Sequence, residues 1–345
     1  MLRYFLIYIN IVSFIGVKSY KSNTFHRQSN VMAEFTKSNP DVLSGELDVS
    51  PDHYASIIDH IQEDCNINDR LQASFHFIKY HDCVNRESDF LKTLSGYLVQ
   101  YCFSKQRYKS ANVFEIQQLF IEARDKFFNP KDSSNGRSGA SRSGELGEIA
   151  LYFLLESYLK SPQIVSKMAL KTTGGENYKG SDGIHVGIVN NKKCFFYCES
   201  KLNKVKDNAF SSCIASVINF HLDKKDFEVS VVNNHIEIEN DNLRQAVLDF
   251  LNPSKPKGDD WLEVNACFIG FDWPNFIDIE KCQPNEALMK KLTDDLKLEI
   301  ETIKKHITDT IIFPTIKHRF FFFVMPFKDV ENMRKNFLKL LYGGK

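Results

Sequence analysis

Apolar positions recur along this chain with two periods, and the switches between them outline a fold. Around Asp52 to Asp64, Tyr54, Ile57, Ile58 and Ile61 stand at i, i+3, i+4 and i+7, the spacing of one helix face. Leu71 to Lys79 alternates loosely and reads as a strand. Val113 to Phe128 returns to the helical period, with Ile116, Leu119, Phe120, Ala123 and Phe127 on one side and Asn129-Pro130 as its stop. Glu145 to Leu159 is apolar around most of its circumference, which predicts a buried helix whose acidic positions are Glu145, Glu148 and Glu156. Ile184 to Val189 is a short strand, Asn190-Asn191 a hairpin turn, and Lys193 to Ser200 the strongest strand in the chain. Helices follow at about Asp207 to Phe220, Asn242 to Leu251 and Glu286 to Thr310, with strands at Leu262 to Phe271 and Arg319 to Phe327. This order predicts an α/β protein with a mixed central sheet flanked by helices.

One stretch breaks the pattern. Lys131 to Gly144 is dominated by Ser, Gly and charged residues and cannot build a core, so it reads as a flexible linker. The expected organisation is a separate mixed α/β region over 1–130, regulatory or partner-docking, then the linker at 131–144 and a second half over 145–345. Tyr4 to Val17 is nearly all apolar between Arg3 and Lys18. It is too short to span a bilayer comfortably and lacks a clean small-x-small cleavage site, so a cytoplasmic reading, either a buried element or a mis-called start, is preferred over an export or anchoring signal.

Composition narrows the classes. Forty-four basic and forty-four acidic side chains cancel, which excludes a wholly basic nucleic-acid binder but leaves room for local patches. Lys167, Lys171 and Lys179 form one candidate patch, and Lys204 and Lys206 another, with only Asp207 nearby to offset it. Contacts of this kind hold phosphates without reading bases. Eight cysteines with no Cys-x-x-Cys pair suit reduced, structural thiols. There is no Gly-x-Ser-x-Gly elbow and no phosphate-binding Gly-x-x-x-x-Gly-Lys-Ser/Thr loop.

The chemistry-bearing residues cluster between the buried helix and the strongest strand. Glu145 and Glu148 open the helix, Asp182 precedes the Ile184 strand, and Glu199-Ser200-Lys201 ends the next one. Alternate strand positions share a face, so Glu199 and Lys201 point the same way, together with Phe195 and Tyr197. Phosphodiester hydrolysis uses such a set. Asp182 and Glu199 would hold Mg²⁺ or Mn²⁺, the Ser200 carbonyl would add a ligand, Lys201 would orient water or phosphate, and a helix glutamate would complete the shell. Each piece has an ordinary reading too: Asp182-Gly183 suits a turn, and acidic residues suit a helix N-terminus. His185 is a further polar residue on the Ile184 strand, read mainly as structural.

The order Glu…Asp…Glu-x-Lys resembles the PD-(D/E)xK nuclease superfamily. Ser143-Gly-Glu-Leu-Gly-Glu148, Ser166-Lys-Met-Ala-Leu-Lys171, Gly180-Ser-Asp-Gly-Ile-His-Val186 and Glu199-Ser-Lys-Leu202 are more closely similar to the DUF1837 family, that of HamA, the effector nuclease of the Hachiman anti-phage system. The resemblance spans about Ser143 to Phe220. It implies a restriction-endonuclease-like core, a metal-dependent deoxyribonuclease of little sequence specificity, and restraint by a helicase partner of the HamB type. By position it implies Asp182 and Glu199 as metal carboxylates, Lys201 as the catalytic lysine, and Glu148 or Glu145 as the helix glutamate, Glu148 being preferred. Ser181 stands where the superfamily often has Pro. The competing reading is a catalytically inactive docking or regulatory subunit of a defence complex.

Overall fold

Arg319-Phe-Phe-Phe-Phe-Val-Met-Pro-Phe327 has no polar alternation, the signature of a strand covered on both faces. It occupies the middle of the sheet, and every residue from Phe320 to Phe327 is buried. The computed structural model describes residues 53–61, 66–127, 144–170, 180–189, 192–256, 261–311 and 317–343. Residues from Glu34 onward form one compact unit. The apolar stretch Tyr4 to Val17, the hairpin turn Asn190-Asn191, almost all of the expected linker, and Lys171 and Lys179 lie outside the described residues.

The strands are β1 (Ile58–Ile61), β2 (Asn66–Asn68), β3 (Leu71–Ile78), β4 (Tyr80–His81), β5 (Val84–Asn85), β6 (Gln163–Val165), β7 (Gly183–Val189), β8 (Lys192–Asn203), β9 (Trp261–Asp272) and β10 (Arg319–Phe327). Eight of them make one sheet in the order β1-β3-β10-β9-β8-β7-β6, with β2 paired to the outer part of β3, while β4 and β5 form a small ribbon. The centre is parallel, β3 with β10, β10 with β9 and β9 with β8. Both flanks are antiparallel. The mixed α/β class expected from the order of elements is the class observed.

Helices cover both faces. The longer or site-forming ones are α1 (Leu98–Cys102), α2 (Val113–Phe127), α3 (Glu145–Ser157), α4 (Lys206–Asp223), α5 (Lys225–His235), α6 (Asn285–Thr310) and α7 (Val330–Tyr342). On one face α3 buries Leu146, Ile149, Phe153 and Leu154 with Phe196 and Cys198 of β8 and Phe268 of β9. On the other, α4 and α6 pack Phe210, Cys213, Leu292 and Ile300 onto Cys267, Ile269 and Phe322. A third cluster joins Phe195 and Tyr197 of β8 to Phe220, Val232 and Phe250. Glu199 and Lys201 thus follow an apolar face covered by a helix, as the alternation predicts.

Two expectations change. The periodic stretch at Tyr54–Ile61 is a single helical turn followed by β1, because antiparallel pairing of Ile58 with Ile78 and Ile61 with Phe75 outweighs a short helical pattern. The described part of the expected N-terminal region also contributes strands to this sheet. Leu71 to Phe75 pair in parallel with Phe320 to Val324, so β1, β2 and β3 extend the sheet that β8 belongs to. β8 itself runs on to Asn203, past the charged residues that seemed to end it, since Leu202 and Asn203 still pair with Gly270 and Phe271. Among the described residues, no helix is long and apolar enough to cross a membrane.

Candidate active site

The site forms where α3, the start of β7 and the end of β8 meet. Close packing of α3 on β8 depends on Gly147. A Cβ there would lie 3.2 Å from Ser200 Oγ and 3.3 Å from Ser200 Cβ, so a larger side chain would press the helix away. Glu148, the next residue, emerges beside this contact. Its Oε2 accepts a 2.6 Å hydrogen bond from Tyr101 Oη of α1. Tyr101 is fully buried, and burial, Glu148 and Asp182 together hold its phenol well above the ordinary tyrosine range. Glu148 thus bonds the Tyr101 hydroxyl directly, and Asp182 is near enough to act on it electrostatically. Glu145, one turn away, acts instead on Tyr342 of α7.

Asp182 lies one residue before the Gly183–Cys198 register pair and so beside Glu199. Its backbone N–H donates to Cys198 O at 2.7 Å. Its carboxylate Oδ2 accepts from Ser200 N at 2.7 Å and Ser200 Oγ at 3.0 Å. The role expected of Ser200 was a carbonyl ligand; in the structure its N–H and hydroxyl hold Asp182 in place. Glu199 is 9% exposed. Its carboxyl is pushed up to about 7, first by burial and second by Asp182, against the opposing pull of Lys201 and the Ser216 hydroxyl. Lys201 pairs directly with Glu199 Oε1. Burial pulls its ammonium down, but Glu199 and Asp182 outweigh that and hold it above the ordinary lysine range.

Asp182, Glu199, Ser200, Lys201 and, through Tyr101, Glu148 are therefore brought together. Among the described residues, no three His, Cys, Asp or Glu side chains stand ready as a metal cage. A full protein cage is not what Mg²⁺ requires, since it is usually held by one or two carboxylates plus waters and substrate phosphate. Two adjacent carboxylates, Glu199 buried and Asp182 partly exposed, fit such an ion: burial and then the charge of Asp182 raise Glu199, and Lys201 offsets only part of this.

The expected basic patches fare differently. Lys204 is exposed just beyond β8. Lys206 is paired with Glu299 of α6 at 2.5 Å, a partner that sequence neighbours do not reveal. Lys167 is buried, 4% exposed, and paired with Glu228 of α5. His185 is structural: buried, its Nδ1 bonded to Ser161 O at 2.8 Å, its ring edge-on to Tyr152. Tyr101, Lys167 and Glu228 were missed as parts of this site. Their distance along the chain hides them; Lys167 had stood out only in a candidate basic patch and in the wording Ser166-Lys-Met-Ala-Leu-Lys171.

Comparison with known sequences adds one finding. The sequence model of the HamA family matches residues 52–341, which include β1 to β3 as well as the site. No curated protein matches the chain.

Proposed function

We propose, from the premise that this chain belongs to the HamA family, that it is a DNA-degrading effector of Hachiman-type anti-phage defence, a metal-dependent nuclease of the PD-(D/E)xK kind. Family membership fits the defence role. The observation that carries the chemistry is the convergence of Asp182, Glu199 and Lys201 on one end of β8, with Glu148 drawn in by Tyr101.

In this reading Asp182 and Glu199, with the Ser200 carbonyl, would hold Mg²⁺ or Mn²⁺, which would supply positive charge against the phosphate and acidify a bound water. Lys201 is a cation at the reacting phosphate; its ammonium donates to the non-bridging oxygens and orients the attacking water. Glu148, fixed by Tyr101, accepts a hydrogen bond from that water. Ser200 keeps Asp182 in a single orientation, so less reorganisation is needed when substrate arrives. Water attacks phosphorus and releases its proton to solvent, the bond from phosphorus to the 3′ oxygen breaks, that oxygen leaves with a proton from solvent, and the product carries a 5′-phosphate. Lys204 beside the site, together with Lys171 and Lys179, would hold the DNA backbone without reading bases. The place of action is the cytoplasm, with a helicase of the HamB type as restraining partner.

The experiment is DNA cleavage with linear and supercoiled substrates in Mg²⁺ or EDTA, with and without the helicase, for the wild type, Glu199→Ala and Lys201→Ala. Metal-dependent cutting that falls at least about 100-fold in both variants is expected, the scale of losing one charge-stabilising group. Equal cutting by the variants, or none by the wild type even with its partner, rejects the assignment.

A further inference from the structure

Behind the loop that carries Asp182 lies an ion pair that takes no part in the cleavage step described above. Lys167 comes from the helical turn Lys167–Leu170 and Glu228 from α5, 61 positions later. Their side chains are 5% and 0% exposed. Both grip the same residue. Lys167 Nζ donates to Ser181 O at 2.5 Å and to Ser181 Oγ at 3.1 Å. Glu228 Oε1 accepts from Lys167 Nζ, from Ser181 N at 3.2 Å and from Ser181 Oγ. The Ser181 hydroxyl also lies 2.9 Å from Gly183 O. Gly180 completes the fit. Its φ is +144°, and a Cβ there would overlap Glu228 Oε2 and touch Lys167 Nζ. Asp182 is the next residue, tied in front to Cys198 O and Ser200.

A buried pair of this kind is a poor stabilising device, because desolvating both charges cancels most of their attraction, and well-packed apolar substitutes often fold as well. What it provides is position. We infer that Lys167 and Glu228 are positioning residues for Asp182, a buried clamp that presets its carboxylate for a divalent cation; this rests on the nuclease reading above. Partners one layer behind a metal ligand act in this way, and losing them commonly weakens metal binding by about 10- to 100-fold.

The test uses the full chain and Mn²⁺ binding followed by electron paramagnetic resonance, which needs no turnover. Asp182→Asn marks site-bound Mn²⁺ in the wild type. The double variant Lys167→Met/Glu228→Met removes both charges together and avoids stranding either one. The expected result is a thermal midpoint close to wild type, Mn²⁺ affinity down by about tenfold or more, and a cleavage rate that recovers at raised Mg²⁺. Mn²⁺ affinity equal to wild type in the folded double variant overturns the clamp and leaves the nuclease reading standing. Wild-type Mn²⁺ binding that Asp182→Asn does not reduce overturns both. Should the double variant fail to fold, Ser181→Ala decides: it removes the hydroxyl that both charges grip, and an unchanged Mn²⁺ affinity there also overturns the proposal.

Discussion

Tyr101 reaches Glu148 across 47 positions of chain, and its hydroxyl links α1 to that carboxylate. Tyr101→Phe keeps the ring and removes the donor. It is expected to cost about 1 kcal/mol of stability, the net worth of one hydrogen bond, and to lower cleavage by several-fold, measured by urea unfolding and initial rates. His185 belongs to the same scale but to a different role. Burial holds its imidazole down to about 3, against an ordinary value of 6.5. Between those values the unfolded chain binds a proton that the folded chain refuses, so stability rises with pH through this window and falls as pH drops below 6.5. Wild type should therefore lose about 2 kcal/mol more than His185→Gln between pH 7 and pH 5, read from denaturant midpoints at the two pH values. Asp182, Glu199 and Lys201 could be placed near one another from the sequence because a single hairpin, β7 to β8, carries all three within a short stretch of chain. The partner of Lys206 could not, because Glu299 lies 93 positions away.

Elements with long apolar periods were legible, and those set by pairing were not. α3 announces itself by an apolar surface all around, and β10 by unbroken phenylalanine. β1 carries a helical spacing of isoleucines that pairing with β3 satisfies differently, burying Ile58 on one face of the sheet and Ile61 on the other. α5 went unrecognised because its apolar positions are few, and Glu228, a charge at full burial, disguises its inner face. The seat of α3 on β8 gives a sharp element-scale expectation. Gly147→Val would drive two methyl groups into Ser200 and Leu202 and lift the helix that carries Glu148. A loss of about 1–3 kcal/mol is expected by thermal or urea unfolding, with cleavage falling further than Gly147→Ala allows.

At the scale of the whole molecule, the expected separation into an N-terminal region and a catalytic half gives way to one sheet. Composition at 131–144 spoke for a boundary, but a polar stretch says only that it packs no core itself, and the pairing of β3 with β10 is invisible without coordinates. Cutting the chain at an engineered protease site within 131–144 should leave two fragments that co-elute on gel filtration. Residues 145–345 expressed alone should be insoluble, because β10 would lose its neighbour β3 and expose Phe321 and Phe323. The same sheet order sets a schedule for synthesis. β3 leaves the ribosome some 240 residues before β10, yet β10 is the strand that joins it to β9. Until then β3 lacks its parallel neighbour and β9 has an open edge. On the nuclease reading, a chain still on the ribosome carries Asp182, Glu199 and Lys201 on a sheet that β10 has yet to join to β3.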